Sequence, residues 1–371
     1  MKILPGLFCL VLSIQVAVAQ KSTAPAAASA SEKTAALFNK DNTYVPGDSV
    51  LLIDYFDQEK LGTSPIKWRT AFATPVVEIA GSRWFKLLNN GEYAPKIMRT
   101  FPEKYTLEFN IVADGAPNEM GYVGNLIFTL GETMDDMFTN TPEKVEITTE
   151  VFVQKELTNV YYNNSIATTS GFAQTDAFSK KRGQKIHVAF AVDNKRMRMW
   201  VDNEKLFDDT VLAYHDQFNI FRIGLGAWNE KDPSSKVLMS DFRYAAGPYN
   251  ATERLANGGS FSTAGISFVP GTAQITPASA GALARMASII NESTDARFRI
   301  ISHADADVKD APAITKQRAE AIKKALVTDY KVEAAKLETE GKGAEVQYAR
   351  GRTLEAKTNN NRVEFLKLYR Q

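Results

Sequence analysis

The sequence has one cysteine, three histidines and almost no net charge in 371 residues. Each scarcity removes a class of chemistry. Cys9 lies in an N-terminal segment expected to be cleaved, so the mature chain should offer no disulfide, thiol nucleophile, zinc ribbon or iron–sulfur ligand set. His187, His215 and His303 have no metal-ligand neighbour at helical or turn spacing. Lys and Arg number 44 against 43 Asp and Glu, so no bulk field draws the chain to nucleic acid or anionic lipid. Neither a phosphate-cradling glycine loop nor a Gly-x-Ser-x-Gly elbow occurs, and no cofactor or metal is expected. Beyond the first residues there is no apolar run near the ~20 residues a membrane-spanning helix needs.

Residues 1–19, MKILPGLFCLVLSIQVAVA, carry Lys2, an apolar stretch and the small-x-small pattern Ala17-Val18-Ala19, which predicts a signal peptide cut after Ala19. A bacterial lipidation site needs a small residue before its cysteine; here it is Phe8. The expected product is exported, soluble and unlipidated. The sequons at Asn163, Asn250 and Asn291 matter only in a eukaryotic secretory host.

The composition, 44% hydrophobic and 23% charged, is that of a globular chain, and its length suits two domains. Residues 20–47 are rich in Ala, Ser, Thr and Lys and read as a flexible tether. Residues 48–247 are dense in β-branched and aromatic residues, 248–261 read as a short linker, and 262–371 alternate strand-like and helix-like segments.

In 48–247 the apolar period is two. Tyr105, Leu107, Phe109 and Ile111 alternate with polar neighbours, as do Val188, Phe190 and Val192, then Met197, Met199 and Val201. Asp193-Asn194-Lys195 and Asp202-Asn203-Glu204 supply turn chemistry between them. About ten half-buried antiparallel strands and no long helix predict a two-sheet sandwich. In 262–371 the period changes. Gly265–Phe268, Arg297–Ile301, Leu337–Glu340 and Arg362–Tyr369 read as strands. Thr276-Pro277 opens a helix through Ile290, and Ile314 to Leu326 marks a second. The order β-α-β-α-β-β predicts a two-layer α/β domain.

The pieces ISFVPGTAQITPASAGAL, FRIISHADAD, ITKQRAEAIKKALV, KVEAAKLETEGKG and NNNRVEFLKL resemble, in order and spacing, the C-terminal domain shared by outer membrane protein A, peptidoglycan-associated lipoprotein and flagellar motor protein MotB. The resemblance implies an OmpA-like fold and peptidoglycan as partner, with binding to the diaminopimelate of the stem peptide. It assigns Asp305 to the ligand's ammonium and Arg318 to its carboxylate, with His303, Asn360 and Arg362 completing the site. The chemistry is sound: a zwitterionic end needs one anion and one cation side by side, and an arginine fork matches a carboxylate. Arg318 is expected near the start of its helix, where backbone N–H groups also favour an anion. The alternative is that Asp305 and Arg318 simply pair with each other.

The chain departs from the family pattern at Ser302, Ala304, Ala311 and Asn361, and the Asp305–Arg318 interval is about two residues shorter than the common one. Each lost hydrogen bond would cost roughly 0.5–1.5 kcal/mol unless Asp307 or Asp310 compensates.

The piece IHVAFAVDNKRMRMWVDNEKLF, with LLIDYFDQEKLGTSPIKW and VLMSDFRYA, resembles laminin G and concanavalin A-like jelly rolls. Some jelly rolls are glucanases with paired glutamates on one strand. The nearest candidates, Glu146 and Glu150, are four residues and ~13 Å apart. A retaining pair needs ~5–5.5 Å and an inverting pair ~6.5–9.5 Å, so the reading is non-enzymatic. Trp200 and Trp228 are the candidate carbohydrate-stacking residues, with Trp200 either on an outward face or packed under a loop. The whole reads as a periplasmic, outer-membrane or cell-wall associated protein of a Gram-negative envelope. The alternatives are a carbohydrate-binding accessory protein whose second domain is only a scaffold, or a divergent glycoside hydrolase. The sandwich is expected to bind a glycan or an envelope protein.

Overall fold

A computed structural model describes residues 42–97, 99–115, 122–131, 144–152, 157–213, 218–226, 228, 235–256 and 259–369. The expected signal peptide, most of the tether and His215 lie outside the described residues.

The first domain opens with β1 (Ser49–Asp54), β2 (Trp68–Thr70), β3 (Val76–Ile79), β4 (Ser82–Leu87) and β5 (Gly91–Pro95). Next come β6 (Lys104–Asp114), β7 (Tyr122–Gly131), β8 (Lys144–Phe152), β9 (Thr158–Asn164) and β10 (Thr169–Thr175). A one-turn helix α1 (Ala177–Lys180) leads to β11 (Lys185–Asp193), β12 (Arg196–Val201), β13 (Glu204–Asp209), β14 (Ile220–Gly226) and β15 (Lys236–Ala246). One sheet runs β13-β12-β11-β6-β15-β4-β3, with β1 also on β15; the other runs β10-β9-β8-β7-β14-β5-β2. All their pairings are antiparallel. The two faces meet in a phenylalanine-rich core, in which Phe128 packs 5.3 Å from Phe190 and 5.7 Å from Phe109. The β11–β12–β13 meander turns where Asn194, Asp202 and Asn203 take positive φ, a conformation Asn and Asp tolerate best after Gly.

Of the two readings of Trp200, packing under a covering segment holds: Met197 and Met199 face the core, and Trp200 on the opposite face is only 2% exposed. The cause is the end of the presumed tether. Trp200 Nε1 donates to the Asn42 carbonyl at 2.6 Å, and the Tyr44 ring packs 5.4 Å from Trp200 and 5.8 Å from His187. Gly47 N donates to Thr106 Oγ1 at 2.9 Å. Residues 42–47 are therefore a strap across the sandwich.

The second domain contains α2 (Ala251–Ala256), β16 (Ser260–Thr263), a 3-10 turn (Pro277–Ser279) and α3 (Ala280–Glu292). β17 (Ala296–Ser302), α4 (Ala311–Thr328), β18 (Leu337–Gly341), α5 (Leu354–Asn360) and β19 (Val363–Tyr369) complete it. The sheet order is β16-β19-β17-β18, with only β17–β18 parallel. Leu283, Ile290, Ile322 and Leu326 from the helices bury against Phe261, Phe298, Ile300 and Phe365 of the sheet. The chain is thus a β-sandwich followed by a two-layer α/β domain.

Three boundaries differ from expectation. Within the expected linker 248–261, α2 buries Ala251 and Leu255, and Phe261 of β16 enters the second core. β16 takes the place given to 265–268, where only an isolated bridge joins Phe268 and Ile275. α5 intervenes before the last strand, with Thr353 Oγ1 accepting from Ala356 N as its cap.

The domains are docked through α5. Asn359 accepts from Val50 N and donates to Val50 O, both at 2.8 Å. It thereby satisfies the backbone of β1 much as a neighbouring strand would. Glu355 accepts from Ile53 N at 3.2 Å and pairs with Lys67 at 2.7 Å. Arg285 of α3 lies 3.4 Å from buried Asp48, whose backbone carbonyl accepts from Ala264 N. Among the described residues no helix is long and apolar enough to cross a membrane.

Candidate functional site

The site forms where β17 ends. Its inward residues Phe298 and Ile300 are fully buried, so the strand end is fixed. The following loop is then pinned by its own backbone: His303 N donates to Arg362 O at 3.0 Å and Ala304 N to Gly343 O at 2.8 Å. Asp305 comes next, only 5% exposed. Its Oδ2 accepts from Asn360 Nδ2 at 2.8 Å and its Oδ1 from Asp307 N at 3.1 Å.

Arg318 projects from α4, and it too is 5% exposed. Its Nε donates to Thr272 O at 3.0 Å, and its guanidinium lies 4.8 Å over the Phe268 ring. It is the eighth residue of α4 rather than near the helix start, because the helix begins at Ala311, right after Asp310 turns through a left-handed conformation. The helix N-terminus therefore does not add to Arg318 as expected.

The two charges do not form an ion pair. One side chain joins them: Asn361 Oδ1 accepts from Asp305 N at 3.3 Å and from Arg318 NH1 at 3.4 Å. Among the described residues no carboxylate lies within 4.0 Å of Arg318. Burial alone pushes its pKa down, with no opposing charge to restore it. A guanidinium has five N–H donors, and the described hydrogen bonds of Arg318 use two. A buried, uncompensated cation is costly, and an arriving carboxylate would relieve that cost in bidentate fashion.

The other predicted site residues act behind this pair. Asn360 is 1% exposed. It accepts from Tyr348 N and Ala349 N at 2.8 Å each while holding Asp305, so it orients the carboxylate. His303 is buried, with Nε2 3.2 Å from Glu364 Oε2; that hydrogen bond outweighs partial burial and holds Glu364 down to about 2. Arg362 donates to Val346 O at 3.1 Å and lies 5.6 Å over Tyr348. Burial pushes its pKa down, against the opposite pull of Glu364. His303 and Arg362 thus brace the loops around the pair. Asp307, a candidate to compensate for lost contacts, is instead tied to Lys357 at 2.7 Å.

Asn361 stands where the family carries an arginine, and no role was expected of Thr272 or Phe268; the structure makes Asn361 the link between the Asp305 backbone and the Arg318 guanidinium. Its place directly after Asn360 was the available signal.

In the sandwich, neither tryptophan candidate presents a ring face. Trp200 lies under the strap, and Trp228 is 4% exposed, close against Gly124. Stacking on sugar needs an open face, so both are corrected to packing residues. Glu146 and Glu150 share a face of β8, with Thr148 between them; Lys144 pairs with Glu146 at 2.5 Å and Asn159 donates to Glu150 at 3.1 Å. His187 joins a buried cluster: Glu108 lies 3.2 Å from His187 Nε2 and 2.8 Å from Arg243 NH1. Burial raises the Glu108 pKa, but these two partners outweigh it and hold the carboxyl down to about 2.

Among known families, residues 267–362 match the OmpA family. No curated protein matches the chain. Among solved structures, a MotB-like protein from Desulfovibrio vulgaris is similar at 20% identity over 30% of this chain and 75% of that one, with a TM-score of 0.27. A family 16 glycoside hydrolase from Bacteroides ovatus, solved with a mixed-linkage glucan product, is similar at 13% identity over 53% of this chain and 98% of that one, TM-score 0.38. The Emp47p carbohydrate recognition domain is similar at 12% identity over 56% and 96%, TM-score 0.36.

Proposed function

We propose that the second domain binds peptidoglycan by gripping the free end of diaminopimelate, with Arg318 on its carboxylate and Asp305 on its ammonium. The observation that carries this reading is the buried Arg318 guanidinium, which has no described carboxylate beside it while Asp305 is held one side chain away. The OmpA family match over 267–362 supports the same assignment.

On this reading the chain is a non-enzymatic envelope protein. Residues 1–19 direct export, the segment after them tethers the body, and the second domain retains the sandwich at the cell wall beneath a Gram-negative outer membrane. The sandwich serves as a binding module. The four-residue spacing of Glu146 and Glu150 speaks against hydrolysis there, since it separates them by ~13 Å.

The test is co-sedimentation of the full mature chain with diaminopimelate-type sacculi. The isolated second domain is a poor substitute, because α5 is held by Val50, Ile53 and Lys67 of the sandwich. Wild type should pellet with sacculi and Arg318→Ala should stay in the supernatant. Equal pelleting of the two would refute the assignment.

A further inference from the structure

Asp305 and Arg318 can hold only the free end of a diaminopimelate, so the rest of its peptide must leave the pocket past a rim. On the Asp305 side that rim is the loop between β18 and α5, residues 342–353. Its backbone is fixed against the residues that carry the anion. Gly343 O accepts from Ala304 N at 2.8 Å, and Gln347 Nε2 donates to Ala304 O at 3.0 Å. The Asn360 amide that holds Asp305 also takes Tyr348 N and Ala349 N.

This loop presents side chains that the fold does not use. Val346 is 50% exposed and Tyr348 61% exposed. Apolar surface left in water costs free energy and marks contact sites when it lies beside a pocket. Here it is held in place: Arg362 NH1 donates to the Val346 carbonyl at 3.1 Å, and its guanidinium sits 5.6 Å from the centre of the Tyr348 ring. Groups fixed in advance lose little entropy on contact. Farther along, Arg350 and Arg352 are exposed, and among the described residues neither enters a salt bridge. Residues 342–353 carry Lys342, Arg350 and Arg352 against one carboxylate, Glu345. Lys342 is tied to Glu340 at 2.6 Å, so the positive charge open to a partner lies with the two arginines. An occupant that suits this rim offers small apolar groups next to the zwitterion and an anion beyond them.

A stem peptide has both: alanine methyl groups, and a γ-linked D-glutamate whose α-carboxylate stays free beside the diaminopimelate. We infer that residues 342–353 form a second subsite for the stem peptide, with Val346 and Tyr348 against its alanine methyl groups and Arg350 and Arg352 on its D-glutamate carboxylate. This rests on the Asp305–Arg318 reading and adds that the ligand is an anionic peptide rather than an isolated diaminopimelate.

The experiment is isothermal titration of the full mature chain with three probes: free meso-diaminopimelate, the peptide N-acetyl-L-Ala-γ-D-Glu-meso-diaminopimelyl-D-Ala, and the same peptide with D-isoglutamine in place of D-glutamate. The acidic peptide should bind at least about tenfold more tightly than free diaminopimelate. Added salt should narrow that gap, because exposed charges are screened. The isoglutamine peptide should lose part of the gain. Arg350→Gln with Arg352→Gln should bring the two peptides level, and Val346→Ser with Tyr348→Ser should weaken both peptides, while free diaminopimelate binds every variant as it binds wild type. All four side chains are exposed, so circular dichroism should show each variant folded. The inference is overturned if the acidic peptide binds no more tightly than diaminopimelate, if the isoglutamine peptide matches it in wild type, or if the variants weaken all three probes alike. Binding of diaminopimelate without a peptide advantage refutes this inference alone; binding of no probe refutes the Asp305–Arg318 reading and this inference with it.

Discussion

Asn359→Ala tests how the two domains are joined. The Asn359 side chain is 8% exposed and makes two hydrogen bonds to one residue, accepting from Val50 N and donating to Val50 O, each at 2.8 Å. Alanine removes both partners and leaves a buried N–H and a buried C=O on β1. A buried group left unsatisfied costs about 1–3 kcal/mol, so the variant should lose ~2–4 kcal/mol once some water has entered. Asn359→Asp keeps the acceptor but not the donor and should fall between. The assay is urea unfolding followed by tryptophan fluorescence, with hydrogen exchange at the Val50 amide. The next two residues, Asn360 and Asn361, hold Asp305 and Arg318, so Asn359→Ala should also weaken sacculus binding. A loss below about 0.5 kcal/mol with unchanged Val50 exchange would refute the docking argument.

Glu108 is held at about 2 against an ordinary 4.5. A depressed folded-state pKa means stability that is complete above pH 4.5 and lost as pH falls toward 2, on the order of 3 kcal/mol in all. Glu108→Gln should therefore lower stability at pH 7 and flatten its pH dependence across that window, measured by urea titration; an unchanged slope contradicts the pairing with His187 and Arg243. Gly281→Ala should cost ~1–3 kcal/mol in thermal unfolding despite better helix propensity, because the new methyl meets the Tyr44 carbonyl of the strap. Asn361→Asp should place an internal carboxylate on Arg318 and cut sacculus retention without lowering the melting temperature; full retention would mean Arg318 is not the anion receiver.

Much of this was legible from side-chain periodicity. Alternation located β6, β11, β12 and the other long strands, because a strand buried on one face must repeat every two residues. It missed short strands such as β2 and β3, three and four residues long, which carry too few positions to show a period. It left Trp200 open between an outward and a covered position because an alternation rule knows only its own strand, whereas the Asn42–Gly47 strap that covers it comes from more than 150 residues earlier. The loop pair Asp305 and Arg318 was found by motif. Asn361, which joins them, was not, because a departure from a motif carries no positional meaning until the backbone around it is fixed. The same limit holds for the other aromatics: Trp200 and Trp228 are buried while Tyr161 and Phe172 are exposed, and which ring is open depends on what covers it.

The most direct test of the account is a sacculus pull-down of the full mature chain alongside Arg318→Ala and Asp305→Asn, with free diaminopimelate as competitor. The account predicts that wild type is retained and competed off, and that both variants stay in solution while remaining folded by circular dichroism. Retention of Arg318→Ala at the wild-type level, or indifference to the competitor, would contradict it.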